Sequence, residues 1–180
     1  MPPQKTRSEK TSFKDKDWSE RVQRLGDEAE AVYELDRTNR NIRHFEHGLR
    51  RPPLTGREIN LLPASVKYAP DFIEVHKGKP RYVEVQGMGR DQTFKLKDEK
   101  HQALAEADSD MAVYLFVWNN VVRRYVLLPM LQVSTLVLAA YEAGDVGVFD
   151  PDGRPKPYTR LSWEKIVANA PSYRIAPARS

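Results

Sequence analysis

The sequence predicts a single α/β domain in which a central mixed β-sheet is flanked by helices. Three observations predict it: an apolar stripe of helical period near the start, two β-branched and aromatic runs around a Lys-Gly-Lys-Pro turn, and a helical segment followed by a buried strand. With 180 residues, the chain is long enough to bury a sizeable core. We expect the domain to cover residues 17–170.

Two segments flank this domain. Residues 1–16 are rich in lysine, and we predict a flexible basic N-terminal arm there. Such an arm either adds electrostatic affinity for nucleic acid or only keeps the chain soluble, and the sequence does not separate the two. Residues 171–180 are predicted to form a loose tail.

Composition excludes several kinds of chemistry. The sequence has no cysteine, so disulfides, thiolate catalysis and cysteine-ligated zinc are excluded. The formal net charge of +4 permits binding to a phosphate backbone without requiring it. No apolar run reaches the ~18 residues of a membrane span, and the first residues lack the apolar core of a signal peptide. We therefore expect no membrane partner and a cytoplasmic location.

The first predicted element is a helix over residues 17–37, followed by a strand over residues 41–47. The apolar positions of the helix recur at spacings of three and four residues. They are Trp18, Val22, Leu25, Ala29 and Val32. The acidic residues Glu28 and Glu30 lie on opposite flanks of this stripe.

Residues 48–65 are predicted to form a long basic loop, with a brief strand at residues 59–62. Its arginines Arg50, Arg51 and Arg57 are candidates for gripping phosphate groups, because guanidinium groups bind phosphate well. A solvated loop with no such role is an equally good interpretation.

A β-hairpin with a loop of about 4–5 residues is predicted from strands at residues 66–75 and 81–86. The alternation of side chains puts Glu84 and Gln86 on one face, and strand pairing brings Asp71 near Glu84. Two carboxylates ~4 Å apart repel by roughly 4 kcal/mol at an effective dielectric of 20. A shared proton or a bound cation must offset this, and such oxygen ligands suit Mg²⁺ or Mn²⁺.

The second half of the chain alternates helical and strand patterns. A helix over residues 95–108, capped by Thr93, would carry Lys97, Lys100 and His101 as one basic face. Further elements are then predicted in chain order: strands at residues 111–118 and 121–128, a helix at 131–143, a strand at 146–149 and a helix from Ser162 to Ala170.

Pro70-Asp71, a hairpin, and then Glu84-Val85-Gln86-Gly87 resemble the signature of the PD-(D/E)xK nuclease superfamily. The resemblance implies a restriction-endonuclease-like fold in which Asp71, Glu84 and the Val85 carbonyl bind Mg²⁺, with Mn²⁺ as a substitute. The family often adds an acid from the first helix, here either Glu28 or Glu30. Gln86 stands where the family has a lysine. A glutamine can neither carry a positive charge nor act as a base.

The resemblance therefore implies that a lysine comes from elsewhere, and Lys97 is preferred to Lys95. The implied activity is that of a Mg²⁺-dependent endodeoxyribonuclease. By analogy with small members of the superfamily, it would act on branched DNA as a Holliday junction resolvase, as a homodimer, and in a host cytoplasm if phage-encoded. Lys100 and His101 would join the basic loop in binding DNA. The alternative is an inactive nuclease fold that binds DNA or builds a phage particle.

Overall fold

The computed structural model describes residues 18–49, 56–59, 61–149, 155–170 and 173–175. Within these ranges the chain forms six helices and nine strands. The helices are α1 (Trp18–Asn39), α2 (Gly56–Ile59), α3 (Ala64–Lys67), α4 (Asp98–Asp108), α5 (Met130–Glu142) and α6 (Trp163–Asn169). The strands are β1 (Arg43–Glu46), β2 (Phe72–His76), β3 (Lys79–Met88), β4 (Thr93–Lys97), β5 (Val113–Asn119), β6 (Arg124–Pro129), β7 (Val146–Phe149), β8 (Lys156–Ser162) and β9 (Tyr173–Ile175).

The described strands form two sheets. The larger has the order β1-β2-β3-β5-β6-β9, and the smaller has the order β4-β8-β7. Strands β3 and β5 are parallel, because α4 crosses over between them, and every other described pair is antiparallel. The predicted fold class, a mixed sheet flanked by helices, is confirmed.

Two apolar layers cover the faces of the larger sheet. On one face, Ala29 and Tyr33 of α1 pack against residues that include Phe72, Val83 and Phe116. On the other face, residues of α4, α5, α6 and the smaller sheet pack together around the buried strand β5. Every residue from Leu115 to Asn119 is buried, as its nearly continuous apolar sequence predicts for a strand covered on both faces.

The β2–β3 hairpin is tighter than predicted. Its turn consists of Lys77 and Gly78 alone, since His76 pairs directly with Lys79. Both turn residues have positive φ, 51° and 76°, which is the conformation of the two-residue turn that matches the twist of paired strands. The predicted start of β2 at residue 66 is wrong, because residues 64–67 form α3.

The predicted helix over residues 95–108 is wrong in its first three residues, which belong to β4. Phe94 and Leu96 are buried while Lys95 is exposed, so this stretch follows the period of a strand. Helix α4 begins at Asp98, after Lys97 as its N-cap, and Thr93 is not the cap. The basic face predicted for one helix is therefore divided between β4 and α4.

Two smaller differences lie outside this region. Residues 56–59 form α2, and residues 61–62 follow it in a turn, so the strand predicted at 59–62 is not there. Tyr173–Ile175, predicted to be part of a loose tail, pairs with β6 at the edge of the larger sheet. The N-terminal arm lies outside the described residues. Ser162 caps α6 as predicted, and its hydroxyl accepts a hydrogen bond from the Lys165 amide.

Among the described residues, none of the helices has both the length and the apolar character needed to cross a membrane.

Candidate functional site

The hairpin register places Asp71 beside Glu84. Phe72 pairs with Val83 in the antiparallel hairpin. Asp71, which precedes Phe72, therefore lies opposite Glu84, which follows Val83. The Asp71 Oδ2 atom accepts a hydrogen bond from the Val85 amide at 2.8 Å. This bond fixes the Asp71 carboxylate against the strand that carries Glu84.

The segment that carries Asp71 is held by the chain that follows β1. The Asp71 carbonyl accepts hydrogen bonds from the amides of His47, at 2.8 Å, and Gly48, at 3.3 Å. A Cβ atom on Gly48 would lie 2.9 Å from the carbonyl oxygens of both Ala69 and Pro70. The close approach requires glycine at position 48, so Pro70-Asp71 is clamped from both sides.

Glu84 is a buried carboxylate with unequally used oxygens. Its side chain is 1% exposed. The Oε1 atom accepts a hydrogen bond from Gln86 Nε2 at 2.5 Å and contacts the Lys100 ammonium group. The Oε2 atom is buried and has no hydrogen-bond partner among the described residues. One oxygen of Glu84 is thus left for a ligand.

The electrostatics of the pair follow from this burial. Burial, and then the charge of Asp71, raise the pKa of Glu84 to about 8, although Lys100 and Gln86 act in the opposite direction. Burial by itself would lower the pKa of Lys100, but the charges of Glu84 and Asp71 outweigh it and the pKa is raised. Lys100 is therefore held as a cation against the two acids.

The lysine that contacts Glu84 is Lys100, in the first turn of α4, and not the Lys97 or Lys95 preferred from the sequence. Lys97 Nζ lies 5.9 Å from the centre of the Phe149 ring. Lys95 Nζ lies 5.7 Å from the centre of the Tyr158 ring. Because the helix begins three residues later than predicted, Lys95 and Lys97 follow the direction of β4 in the smaller sheet.

Helix α1 approaches the site closely at Gly87. A Cβ atom there would lie 2.4 Å from the Leu25 carbonyl oxygen. Of the two acids on this helix, Glu28 accepts a hydrogen bond from Trp118 Nε1 at 3.3 Å. The charge of Glu30 contributes to the raised pKa of Lys100. Glu30 is thus the α1 acid whose field reaches the Lys100 ammonium group.

In the described part of the chain, no three or more His, Asp or Glu side chains form a cluster that could hold a metal ion. The candidate metal ligands at this site are two carboxylates, those of Asp71 and Glu84, together with the backbone of Val85.

The residues predicted to bind DNA fall into two groups, those outside the described part of the chain and those on α4. Arg50 and Arg51 lie outside the described residues, as does the side chain of Arg57. Lys100 points at Glu84, as described above. His101 is half-buried, with its Nε2 atom 3.0 Å from Ser134 Oγ on α5. The two residues of α4 therefore face other parts of the protein.

Sequence reasoning missed a second buried charge cluster, on the α1 face of the hairpin. Glu74 is fully buried and binds three side chains, those of Tyr33, Arg37 and Arg81. Arg37 also pairs with Asp36 at 2.9 Å. One signal was available: Tyr33, Arg37 and Arg40 follow the apolar stripe of α1 at spacings of four and three, and Glu74 alternates in phase with the apolar Phe72.

Known proteins offer little by comparison. No family model matches the chain, and no curated protein matches it. Among solved structures, it is similar to Hjc, a Holliday junction resolvase of the archaeal hyperthermophile Archaeoglobus fulgidus. The match has a TM-score of 0.47 and 9% identity, and it covers 79% of this chain and 88% of that chain. A likeness of this size assigns no activity, so the function must be argued from the site.

Proposed function

We propose that the protein is a metal-dependent nuclease that hydrolyses phosphodiester bonds in DNA. The observation that carries the proposal is Glu84, a buried carboxylate beside Asp71 whose Oε2 atom has no hydrogen-bond partner among the described residues. A purely structural carboxylate at this depth would have both oxygens satisfied, because an unsatisfied buried group costs about 1–3 kcal/mol or more.

The side chains present fit a Mg²⁺ ion. Carboxylate and carbonyl oxygens are the ligands that this ion prefers, and one or two carboxylates commonly suffice when substrate phosphate and water complete the shell. Asp71 and Glu84 would hold it, together with the Val85 carbonyl. When bound, the ion would polarise the phosphate and lower the pKa of a water molecule.

Lys100 and Gln86 would divide the role that a single lysine has in the nuclease family. The Lys100 ammonium group brings a positive charge to the acidic pair from α4, where it would stabilise the charge that develops on the phosphate. Gln86 donates to Glu84 Oε1 and so fixes the orientation of that carboxylate. Neither residue needs to act as a base for this arrangement to work.

We further propose branched DNA as the substrate, in keeping with the family resemblance, and a homodimer as the acting form. Two strands of a junction are cut symmetrically only if two sites act together. The Mg²⁺ requirement, the junction preference and the dimer are separate parts of the proposal, and each has its own measurement.

The test is cleavage of supercoiled plasmid and of a synthetic four-way junction, with Mg²⁺ and with chelator. Asp71→Asn should abolish cleavage and keep DNA binding, because it removes a charge from the metal site and leaves the phosphate contacts. Asp108→Asn is the matched control, since Asp108 also accepts a hydrogen bond from a strand amide, that of Val113, at 2.6 Å.

Full activity in Asp71→Asn would overturn the metal-site assignment. Binding of DNA by the wild-type protein without cleavage under any divalent ion would favour the alternative, an inactive nuclease fold. Preferred cutting of the junction over plasmid, and a dimeric mass in light scattering, would support the two finer parts of the proposal.

A further inference from the structure

The smaller sheet has one face that carries positive charge and aromatic rings together. Strand alternation and the pairing of β4, β8 and β7 place eight side chains on this face, and all but Thr93 and Ser162 are cationic or aromatic. We call these six the cationic sheet face: Lys95, Lys97, Phe149, Lys156, Tyr158 and Arg160. The three strands contain no acidic residue.

The Tyr158 ring lies along this face. Tyr158 pairs with Gly147, and a Cβ atom on that glycine would lie 2.6 Å from the ring atoms Cζ and Oη. The absence of a side chain at position 147 therefore lets the ring lie over the neighbouring strand. The Tyr158 side chain remains partly exposed to solvent.

Two cations lie near the Tyr158 ring and one lies near the Phe149 ring. Lys95 Nζ and Arg160 Cζ each lie 5.7 Å from the centre of the Tyr158 ring, and Lys97 Nζ lies 5.9 Å from that of Phe149. These distances are within the range of cation–π attraction, but at its outer limit. The cations thus remain able to bind a further anionic group.

The arrangement of charges works against the stability of the isolated sheet. Lys95 and Arg160 are exposed and pair directly across two strands, and like charges opposite each other are destabilising. The pKa of Lys97 is lowered, first by burial and then by the nearby cations Lys156, Lys100 and Lys67, although the charge of Glu99 acts in the opposite direction. A polyanion on this face would relieve the repulsion.

We propose that the cationic sheet face binds single-stranded DNA. Bases would stack on Tyr158 and Phe149, while Lys95 and Arg160 would contact the phosphates, which is how proteins commonly bind unpaired strands. A duplex fits less well, because its bases are already stacked on one another and only its backbone could be used. The charges are complementary to a strand with one phosphate per nucleotide.

The inference does not depend on cleavage. Lys97 of the cationic sheet face is the N-cap of α4, and Lys100 in the first turn of the same helix contacts Glu84. Binding itself needs neither carboxylate, so it can be measured separately from nuclease activity.

The experiment measures the affinity of a dye-labelled oligothymidine of about 15 nucleotides, in chelator and over a range of salt concentrations. Lys95→Gln/Arg160→Gln should lower the affinity at least about tenfold and reduce the salt slope by about 1.4, for two lost phosphate contacts. Tyr158→Leu should lower the affinity at least about fivefold with an unchanged slope, because stacking releases no counterions.

Matched controls are Lys77→Gln/Lys79→Gln, two exposed lysines in the hairpin, and Tyr141→Leu, an exposed tyrosine on α5. Both should bind as the wild type does. Melting temperatures show that each variant is folded. Unchanged affinity in both face variants, or equal losses in the controls, would overturn the proposal. So would an equal loss for duplex of the same length, which would assign the face to duplex DNA.

Discussion

Two buried glutamates on neighbouring strands of one hairpin have opposite surroundings. Glu74 is 0% exposed and faces α1, and Glu84 is 1% exposed and faces α4. Both oxygens of Glu74 are used: Oε2 by Tyr33 at 2.8 Å and Arg37 at 2.7 Å, and Oε1 by Arg81 at 2.5 Å. Glu84 meets a single cation, and its second oxygen has no hydrogen-bond partner in the described part of the chain.

The difference separates a structural carboxylate from an available one. Two arginines and a phenol saturate Glu74, so it has no capacity for a ligand, and its network ties α1 to the hairpin. Glu84 lies against another acid instead, and its charged form is disfavoured. Burial alone therefore does not separate a structural carboxylate from one that is available to a ligand. The hydrogen-bond partners of each oxygen atom separate them.

The largest expected effect is on stability, from Glu74→Gln. Removing this charge leaves Arg81 without its buried acidic partner and leaves Arg37 with Asp36 alone, and breaking such a buried pair costs about 3–5 kcal/mol. Urea unfolding in chelator measures the change. Glu84→Gln, the matched variant, should be as stable as the wild type or more so, because it removes the repulsion by Asp71, while Asp71 still provides a negative charge near Lys100. Equal losses in the two variants would refute the comparison.

A smaller effect is expected on the rate of cleavage, from Lys100→Gln. The rate should fall at least about tenfold, or ~1.4 kcal/mol in the barrier, since the cation beside Glu84 is lost. Adding Gln86→Lys should restore the rate, because it returns the positive charge from β3.

Lys97→Gln is the control for this experiment. It removes a lysine that the sequence favours but that lies 5.9 Å from the ring of Phe149 instead of beside the carboxylates. If Lys97→Gln cleaved DNA slowly and Lys100→Gln cleaved it at the wild-type rate, Lys97 would be assigned the role proposed for Lys100.

A further effect is expected on the pH dependence of stability in chelator. Native Glu84 has a pKa of about 8 against an ordinary value of 4.5, so the native state binds its proton more tightly than the unfolded state does. This contribution to stability is fully present below about pH 4.5 and is lost as the pH rises to about 8. Melting temperatures across this window should fall less in Glu84→Gln. Parallel curves would mean that Glu84 is ionised in the native protein.

The sequence predicts the order of the main elements because their apolar periods are clear. The stripe of α1 and the continuous apolar run of β5 leave little ambiguity. It fails at residues 93–97, where Phe94-Lys95-Leu96 is too short to separate a strand from the first turn of a helix. The pairing with β8 that decides the matter is more than sixty residues away in the chain.

The acidic pair could be predicted because it depends only on local hairpin register. Lys100 could not, since its approach to Glu84 depends on how α4 packs against the sheet. The same holds for the Glu74 network, which joins α1, β2 and β3. Side chains that meet through the packing of separate elements leave no spacing in the sequence from which to read them.

Gly87 has a consequence for anyone who maps this protein by saturation mutagenesis. A side chain at this position meets the Leu25 carbonyl at 2.4 Å, so every substitution must push α1 away from β3. Loss of activity at position 87 would then be as complete as at Glu84, three residues earlier in the same strand. A map of tolerated substitutions alone would assign Gly87 a catalytic role. Its role is instead to allow α1 to pack closely against β3.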